Sequence, residues 1–285
     1  MSRAPWWRTY FDDRYFEMHD PLFSEERSRR EVGGMRELLA LPVGARVLDA
    51  PCGWGRHARL LAEAGCDVVG ADLSFDLLRR AVATEGETRD EGADEGGGEG
   101  DVGRAVGGAS PVTPPAYAAA DIRFLPFADA SFDAVLNVFT SLGLFLSDEE
   151  DIAALREARR VLRPGGALLL ESMHRDDVVA SYAERDRWSL SDGTEIRVRR
   201  RFDPVTGISR ERLKWRRGGE SGRKRHALKL RTATEIDALL RAAGFDGIEY
   251  YGDWDGTPFD HRAESLIAVA RVGGGRGVAP SAAAP

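Results

Sequence analysis

The sequence predicts an α/β fold: a doubly wound, mostly parallel sheet of seven strands, with helices on both faces and a small antiparallel β insert after the fifth strand. Three observations predict it. Short apolar, strand-like runs alternate with helical patterns from residue 46 to 172 and again from 232 to 272, the order that builds a parallel sheet. Between 188 and 230 the hydrophobic period drops to two, the period of paired strands with one buried face. The chain has 285 residues, 42% of them hydrophobic, which is enough for one large α/β domain with a real core.

Taken in order, Arg46–Asp49 reads as the first strand, ended by the turn PCGWG. A helix follows through Arg59–Ala64 and stops at Gly65. Asp67–Asp72 is the second strand, and Ser74 is placed to cap the helix FDLLRRAVA. Tyr117–Asp121 and Phe132–Val138 supply the third and fourth strands. Ser147 and Glu150 have capping-box spacing at the head of a helix over Glu149–Leu162, which PGG at 164–166 ends before a fifth strand, Ala167–Ser172. Thr232 and Glu235 repeat the capping box, Gly244 closes that helix, and Ile248–Trp254 and Ser265–Val272 complete the sheet.

Four segments stand outside this alternation. Residues 1–42 open with Trp6, Trp7, Tyr10, Phe11, Tyr15 and Phe16, and read either as a helical lid closing over a ligand or as a helix docked on the domain by its aromatic face. Residues 84–115 hold nine glycines, a run of acids and no Leu, Ile, Phe, Trp or Tyr, the composition of a disordered insert. Residues 174–231 form the antiparallel cap, on the substrate side of the core made by 43–173 with 232–272, and 273–285 read as a disordered tail. Within the cap, Ile196 and Val198 share one face while Arg197, Arg199 and Arg201 take the other; Leu213 and Trp215 likewise oppose Arg210, Arg212, Lys214 and Arg216.

Charge follows the same division. The net charge is −7, but Glu195–Arg231 carries fourteen Lys/Arg against four Asp/Glu, so the rest of the chain holds −17. The basic segment reads first as a solvated outer face. It also fits an anionic acceptor drawn in by its field, or RNA bound with a steep salt dependence. RNA gains no support elsewhere, because the remainder is acidic and shows no recognised RNA-binding module. Cys52 and Cys66, without a spaced Cys/His cluster, give neither a disulfide framework nor a metal site. The N-terminal stretch lacks the apolar core of a secretory signal and no run is long enough to span a bilayer, so a soluble, cytoplasmic protein is expected.

The turn after the first strand carries the chemistry. Gly53, Gly55 and Ala58 satisfy G-x-G-x-x-A, and Asp72 lies 19 residues beyond Gly53, as the ribose-binding acid of a dinucleotide site should. Asp49 decides against that reading. It ends the strand four residues before Gly53, where a carboxylate repels a pyrophosphate and attracts an ammonium or sulfonium. At about 4 Å that attraction is worth roughly 1–4 kcal/mol between water and a protein surface. Proline at 51 fixes φ near −65° yet leaves the backbone free to approach a ligand at 53 and 55.

On Asp49-x-Pro51-x-Gly53-x-Gly55, Asp72, Asp121-Ile122, SFDAVLNVFTSLG (131–143) and RRVLRPGGALLL (159–170), the sequence resembles the class I S-adenosylmethionine-dependent methyltransferases, whose fold is Rossmann-like. The resemblance covers roughly 43–83, 116–172 and 232–272, and Pro51 replaces the first glycine of the family's turn. It implies S-adenosyl-L-methionine as cofactor, with its methionine part on Pro51, Gly53 and Gly55 and its ammonium near Asp49. Asp72 would take the ribose hydroxyls, Leu73, Asp121 and Ile122 the adenine, and Asn137 and Phe139 would stand beside the reactive methyl. The expected activity is methyl transfer to an O or N atom of a small-molecule acceptor. An RNA methyltransferase using the basic cap 195–231 and, more remotely, an NAD-dependent oxidoreductase are the competing readings, and a binding protein on the same fold stays open. His174, just past the fifth strand, is the candidate general base. His57 reads as a packed or solvated helix position, Cys52 as a small filler, and His226 and His261 carry no readable context.

Overall fold

Every strand foreseen for the core is present, and the sheet they make has its direction reversal at the glycine turn. The computed structural model describes residues 5–93 and 112–273. The N-terminal segment contributes α1 (Trp7–Tyr10), α2 (Asp13–His19), a 3-10 turn at Asp20–Leu22 and α3 (Glu25–Leu39). The core follows as β1 (Arg46–Asp49), α4 (Arg56–Glu63), β2 (Asp67–Asp72), α5 (Phe75–Ala93), β3 (Ala116–Ala119), β4 (Phe132–Asn137), α6 (Asp148–Val161) and β5 (Leu162–Met173). Then come α7 (Arg175–Ala180), the inserted strands β6 (Arg185–Ser189), β7 (Glu195–Asp203), β8 (Ile208–Arg217) and β9 (Glu220–Lys229), and finally α8 (Ala233–Ala242), β10 (Asp246–Tyr251) and β11 (Ser265–Arg271).

The seven core strands run β10-β11-β5-β4-β1-β2-β3. All are parallel except β11, which pairs antiparallel with both β5 and β10. Central strands of such a sheet are covered on both faces and need continuous apolar side chains rather than alternation. Val47 and Leu48 of β1 and Leu168–Leu170 of β5 meet that need with no solvent exposure. One face packs under Leu155, Ile236 and Leu240, from α6 and α8; the other packs under Val32, Met35 and Leu61, from α3 and α4. Strand order reverses between β1 and β4, so their carboxyl ends diverge into a crevice where ligands bind in sheets of this kind.

The second sheet, β6-β7-β8-β9, is antiparallel throughout. Its inner face buries Ile196, Val198 and Leu213 against Met18 of α2. Its outer face is cationic to an extent that the sequence pattern only outlines. Arg185, Arg199, Arg212 and Arg225 lie directly opposite one another across all four strands, and Arg187, Arg197, Lys214 and Arg223 form a second such row. The sheet is tied to the core where Arg231, just past β9, forms a buried ion pair with Asp151 of α6 and a second pair with the more exposed Asp148.

The N-terminal segment is docked, not free. Lys224 of β9 donates to the Tyr10 carbonyl at 2.7 Å and to Asp12 at 2.5 Å, and the Ser74 hydroxyl donates to the Phe11 carbonyl. It thereby bridges the two sheets.

Some local expectations change. Residues 84–93, expected to be disordered, continue α5, because extending a formed helix costs far less than starting one; 94–111 lie outside the described residues, as do 274–285 of the expected tail. Strand β3 ends at Ala119, leaving Asp121 in the loop beyond it. Ser147 does cap α6, but Glu150 does not return the bond: its carboxylate goes to Arg123. The box at Thr232 and Glu235 is complete. Strand β6 and helix α7 have no counterpart in the sequence reading.

Candidate functional site

A cavity of about 550 Å³ lies at the carboxyl ends of β1, β2 and β4. Its floor is the turn after β1 and the ends of β2 and β4. Its walls are α1 and α2, and its roof is the inner face of the antiparallel sheet.

The floor is built by backbone bonds. The amide of Cys52 donates to the Ala71 carbonyl at 2.9 Å, and Gly53 donates to Asp72 Oδ2 at 2.9 Å. Gly53 has φ +56°, and a Cβ placed there meets no protein atom within 4 Å, so the turn's backbone faces open cavity. Asp72 also accepts from the Ser74 amide at 2.8 Å. Burial raises its pKa while the amides of Ser74, Gly53 and Leu73 pull the other way. A carboxylate has about four acceptor positions, so capacity remains for ligand hydroxyls. Pro51, Leu73, Asp121 and Ile122 line the same floor. Asp121 is gripped by Arg123, whose Nη2 stands 2.6 Å away. Burial pushes Asp121 up, but Arg123 outweighs it and holds the carboxyl below its usual range. Phe139 sits at the rim with φ +61°, its amide donating to Glu171 Oε2 at 2.7 Å.

Asp49 is 1% exposed and lies beneath this turn instead of on the cavity wall. Neither carboxylate oxygen has a hydrogen bond of good geometry, the Ala58 amide lending only weak support. Burial pushes its pKa up to about 7 against the pull of Arg56. A buried, unpartnered carboxylate is costly and rare, and the group that would relieve it is a cation.

Residues 48–170 match a protein-family profile described as "Methyltransferase domain". This stretch is a methyltransferase domain of the S-adenosylmethionine-dependent kind.

The methyltransferase domain is accompanied by similar proteins of varied acceptors. The chain is 42% identical over 158 residues to a demethylmenaquinone methyltransferase of Parafrankia sp., covering 54% of this chain and 57% of that protein. It thus spans about half the length of the curated relatives it matches. Among solved structures, the CcbJ methyltransferase from Streptomyces caelestis superposes with a TM-score of 0.71 at 19% identity, over 94% of this chain and 99% of that one. The amino pentose methyltransferase CalS10 from Micromonospora echinaspora, solved with its cofactor bound, gives 0.62 at 21% identity, over 91% and 97%. At such identities the likeness is one of fold.

The residues of the methyltransferase floor fit S-adenosylmethionine on two observations: the orphaned Asp49 carboxylate awaits a positive charge, and the Gly53 backbone opens onto empty space. Pro51, Gly53, Asp72, Leu73, Asp121, Ile122 and Phe139 all line the cavity. Besides Asp49, three expected site residues do not. Gly55 is a packing residue: a Cβ there would stand 2.4 Å from the Tyr117 hydroxyl. Asn137 points behind the floor, where its Nδ2 donates to the Ala50 carbonyl at 3.1 Å and so holds the turn from below. His174 is 1% exposed, its Nε2 on the Ala263 carbonyl and its ring against Phe259, away from the cavity.

Cys52 is buried in the turn, with its thiol pKa raised by burial, as suits a filler. His57 is packed at 6% exposure, 2.8 Å from Glu31. Burial brings the ring down to about 4 despite Glu31. Glu31 also takes Arg27 and Arg56; burial pushes it up, but these partners bring it to about 2.

Sequence reasoning missed the upper half of the cavity. His19 and His226 line it, as do Glu171 and the ion pair of Arg200 Nε with Glu211 Oε2 at 2.8 Å. A signal existed for the pair: position 200 shares the parity of Ile196 and Val198, and 211 that of Leu213 and Trp215. Most of the basic residues that suggested an anionic acceptor are instead on the opposite, outer face. Among the described residues no helix is long and apolar enough to cross a membrane, and no cluster of His, Cys, Asp or Glu is arranged to hold a metal.

Proposed function

We propose that this chain transfers the methyl group of S-adenosyl-L-methionine to an oxygen or nitrogen atom of a small-molecule acceptor held in the cavity. One observation carries the reading. The cofactor floor and an aromatic-walled space beneath the antiparallel sheet belong to a single cavity, so an acceptor there would face the sulfonium directly. The cofactor supplies an intrinsically activated methyl group, and the protein's task is to align the acceptor and exclude solvent. In this reading Gly53 and Pro51 seat the methionine part, with Asp49 as its buried counter-charge. Asp72 binds the ribose, and Leu73 and Ile122 flank the adenine. Phe139, fixed through Glu171, borders the reacting atoms. The outer basic face carries no aromatic side chain for stacking single-stranded bases, and Trp188 and Trp215 both turn inward. RNA is therefore the weaker acceptor.

Calorimetric titration with S-adenosylmethionine, S-adenosylhomocysteine and NAD, on wild type and Asp72→Ala, tests the proposal. At about a hundred times its dissociation constant a ligand adds roughly 2.7 kcal/mol of stability. Binding of both adenosyl ligands, lost in the variant and absent with NAD, is expected. Binding of NAD alone would overturn it.

A further inference from the structure

Transfer to oxygen has a requirement that transfer to a neutral amine lacks. The hydroxyl proton must go somewhere, so a base has to stand within hydrogen-bond reach of the acceptor. Most candidates in the cavity are already engaged. Glu171 accepts from the Phe139 amide and from the Ser265 hydroxyl, each at 2.7 Å. Glu211 is held by Arg200, and His57 by Glu31. His226 packs edge-on to Trp6 with ring centroids 4.9 Å apart, and among the described residues no hydrogen bond fixes its tautomer.

His19 is different. Its Nδ1 lies 2.8 Å from the carbonyl oxygen of Tyr15, one turn earlier on α2. A carbonyl can only accept, so Nδ1 carries the proton, and the neutral ring keeps a lone pair on Nε2. That nitrogen has no hydrogen bond among the described residues, and the residue lines the cavity. The ring is stacked on Tyr15, centroids 4.0 Å apart at 24°, which fixes its plane. The charged and titratable groups around it leave it neutral. Burial lowers its pKa below the usual imidazole range, the Tyr15 carbonyl opposes this, and Lys224 of β9 lowers it further. His226, across the cavity on the same strand, is brought by burial to about 4 and adds no negative charge.

The walls indicate what such a base would serve. Trp7, Phe11, Phe23, Phe139, Phe145 and Trp188 all face the cavity, and rings of this kind favour a flat, apolar ligand with few polar atoms.

We infer that the acceptor is a phenol and that His19 Nε2 takes its hydroxyl proton. The assignment rests on the methyl-transfer reading above. The phenol oxygen forms a C–O bond to the methyl carbon as the C–S bond breaks, its electron pair staying on sulfur to give S-adenosylhomocysteine. The hydroxyl proton passes to Nε2, and the imidazolium returns it to water after the product leaves.

The test uses the full chain with 2-naphthol as probe. Binding of S-adenosylhomocysteine, measured first by calorimetry, judges the methyl-transfer reading by itself. In that complex the imidazole nitrogen-15 shifts should show His19 protonated at Nδ1, and 2-naphthol should shift Nε2 toward its hydrogen-bonded value. A ring protonated at Nε2, or one indifferent to naphthol, overturns the assignment without any variant being needed. With S-adenosylmethionine, 2-methoxynaphthalene should form, at a rate that falls as pH drops through the depressed His19 pKa. His19→Gln should lower kcat by about 10²–10⁴-fold, flatten that acid limb and leave S-adenosylhomocysteine affinity unchanged. No product while S-adenosylhomocysteine binds overturns the phenolic acceptor, and a kcat unmoved by His19→Gln overturns the base.

Discussion

Replacing Asp49 by asparagine should stabilise the ligand-free protein above neutral pH and weaken cofactor binding at the same time. The carboxylate is buried without a good partner, and burial lifts its pKa to about 7 from the ordinary aspartate value of 3.8. Between those two values the folded chain holds a proton that the unfolded chain has released. Stability therefore falls as pH rises through this window and is lowest above about pH 7. A gap of about three units corresponds to at most about 4 kcal/mol, at roughly 1.4 kcal/mol for each. Asparagine keeps the volume and removes the charge. Thermal unfolding without ligand should thus separate the variant from wild type at about pH 8, by roughly 2–4 °C for each kcal/mol recovered, and bring them close together near pH 5. Titration with S-adenosylhomocysteine at pH 8 should then show weaker binding in the variant, which has lost the counter-charge for the ligand's ammonium. A variant melting at or below wild type at pH 8, or a difference independent of pH, would refute the account of Asp49.

The two turn glycines should behave oppositely. Gly55→Ala, with φ +76° and its Cβ driven against Tyr117, should cost about 1–3 kcal/mol in urea unfolding while leaving cofactor affinity intact. Gly53→Val should show its main effect in calorimetry as lost S-adenosylhomocysteine binding, because its side chain projects into the cavity. Arg212→Glu converts two like-charge neighbours, Arg199 and Arg225, into opposite-charge pairs. It should raise stability by about 0.4–2 kcal/mol at low salt, a gain that shrinks on adding salt. His174→Ala should lower the melting temperature through loss of buried packing on Phe259 but leave turnover per folded molecule unchanged.

Much of the lower half of the site was legible in the sequence because its residues are consecutive or lie at strand ends. Pro51, Gly53, Asp72, Leu73 and Ile122 lie at or within a few residues of the ends of their strands, and once the strands are found the ends of a parallel sheet bring them together. Gly55 and Asn137 sit in the same motifs yet face away from the cavity. A motif fixes position along the chain, whereas the direction of each side chain depends on the neighbour it packs against, here Tyr117 and the Ala50 carbonyl. His174 is placed away from the cavity for a related reason. The residue after the fifth strand can turn toward the crevice or toward the β10–β11 connection, and contact with Ala263 and Phe259 draws it to the latter.

The sequence by itself determined the alternation of strands and helices, the parallel core, the antiparallel insert with its apolar and basic faces, and a turn whose neighbouring acid suits a cation. These are properties of local period, of capping and turn chemistry, and of charge sign, all readable within a dozen residues. Only the tertiary structure decided what the cavity's upper half contains. His19, Arg200, Glu211 and His226 come from segments up to two hundred residues apart, and they meet because α2 buries Met18 against Ile196 and Val198 while Lys224 binds Asp12 and the Tyr10 carbonyl. Convergence of that kind depends on which apolar faces cover one another, and no single stretch of sequence carries it.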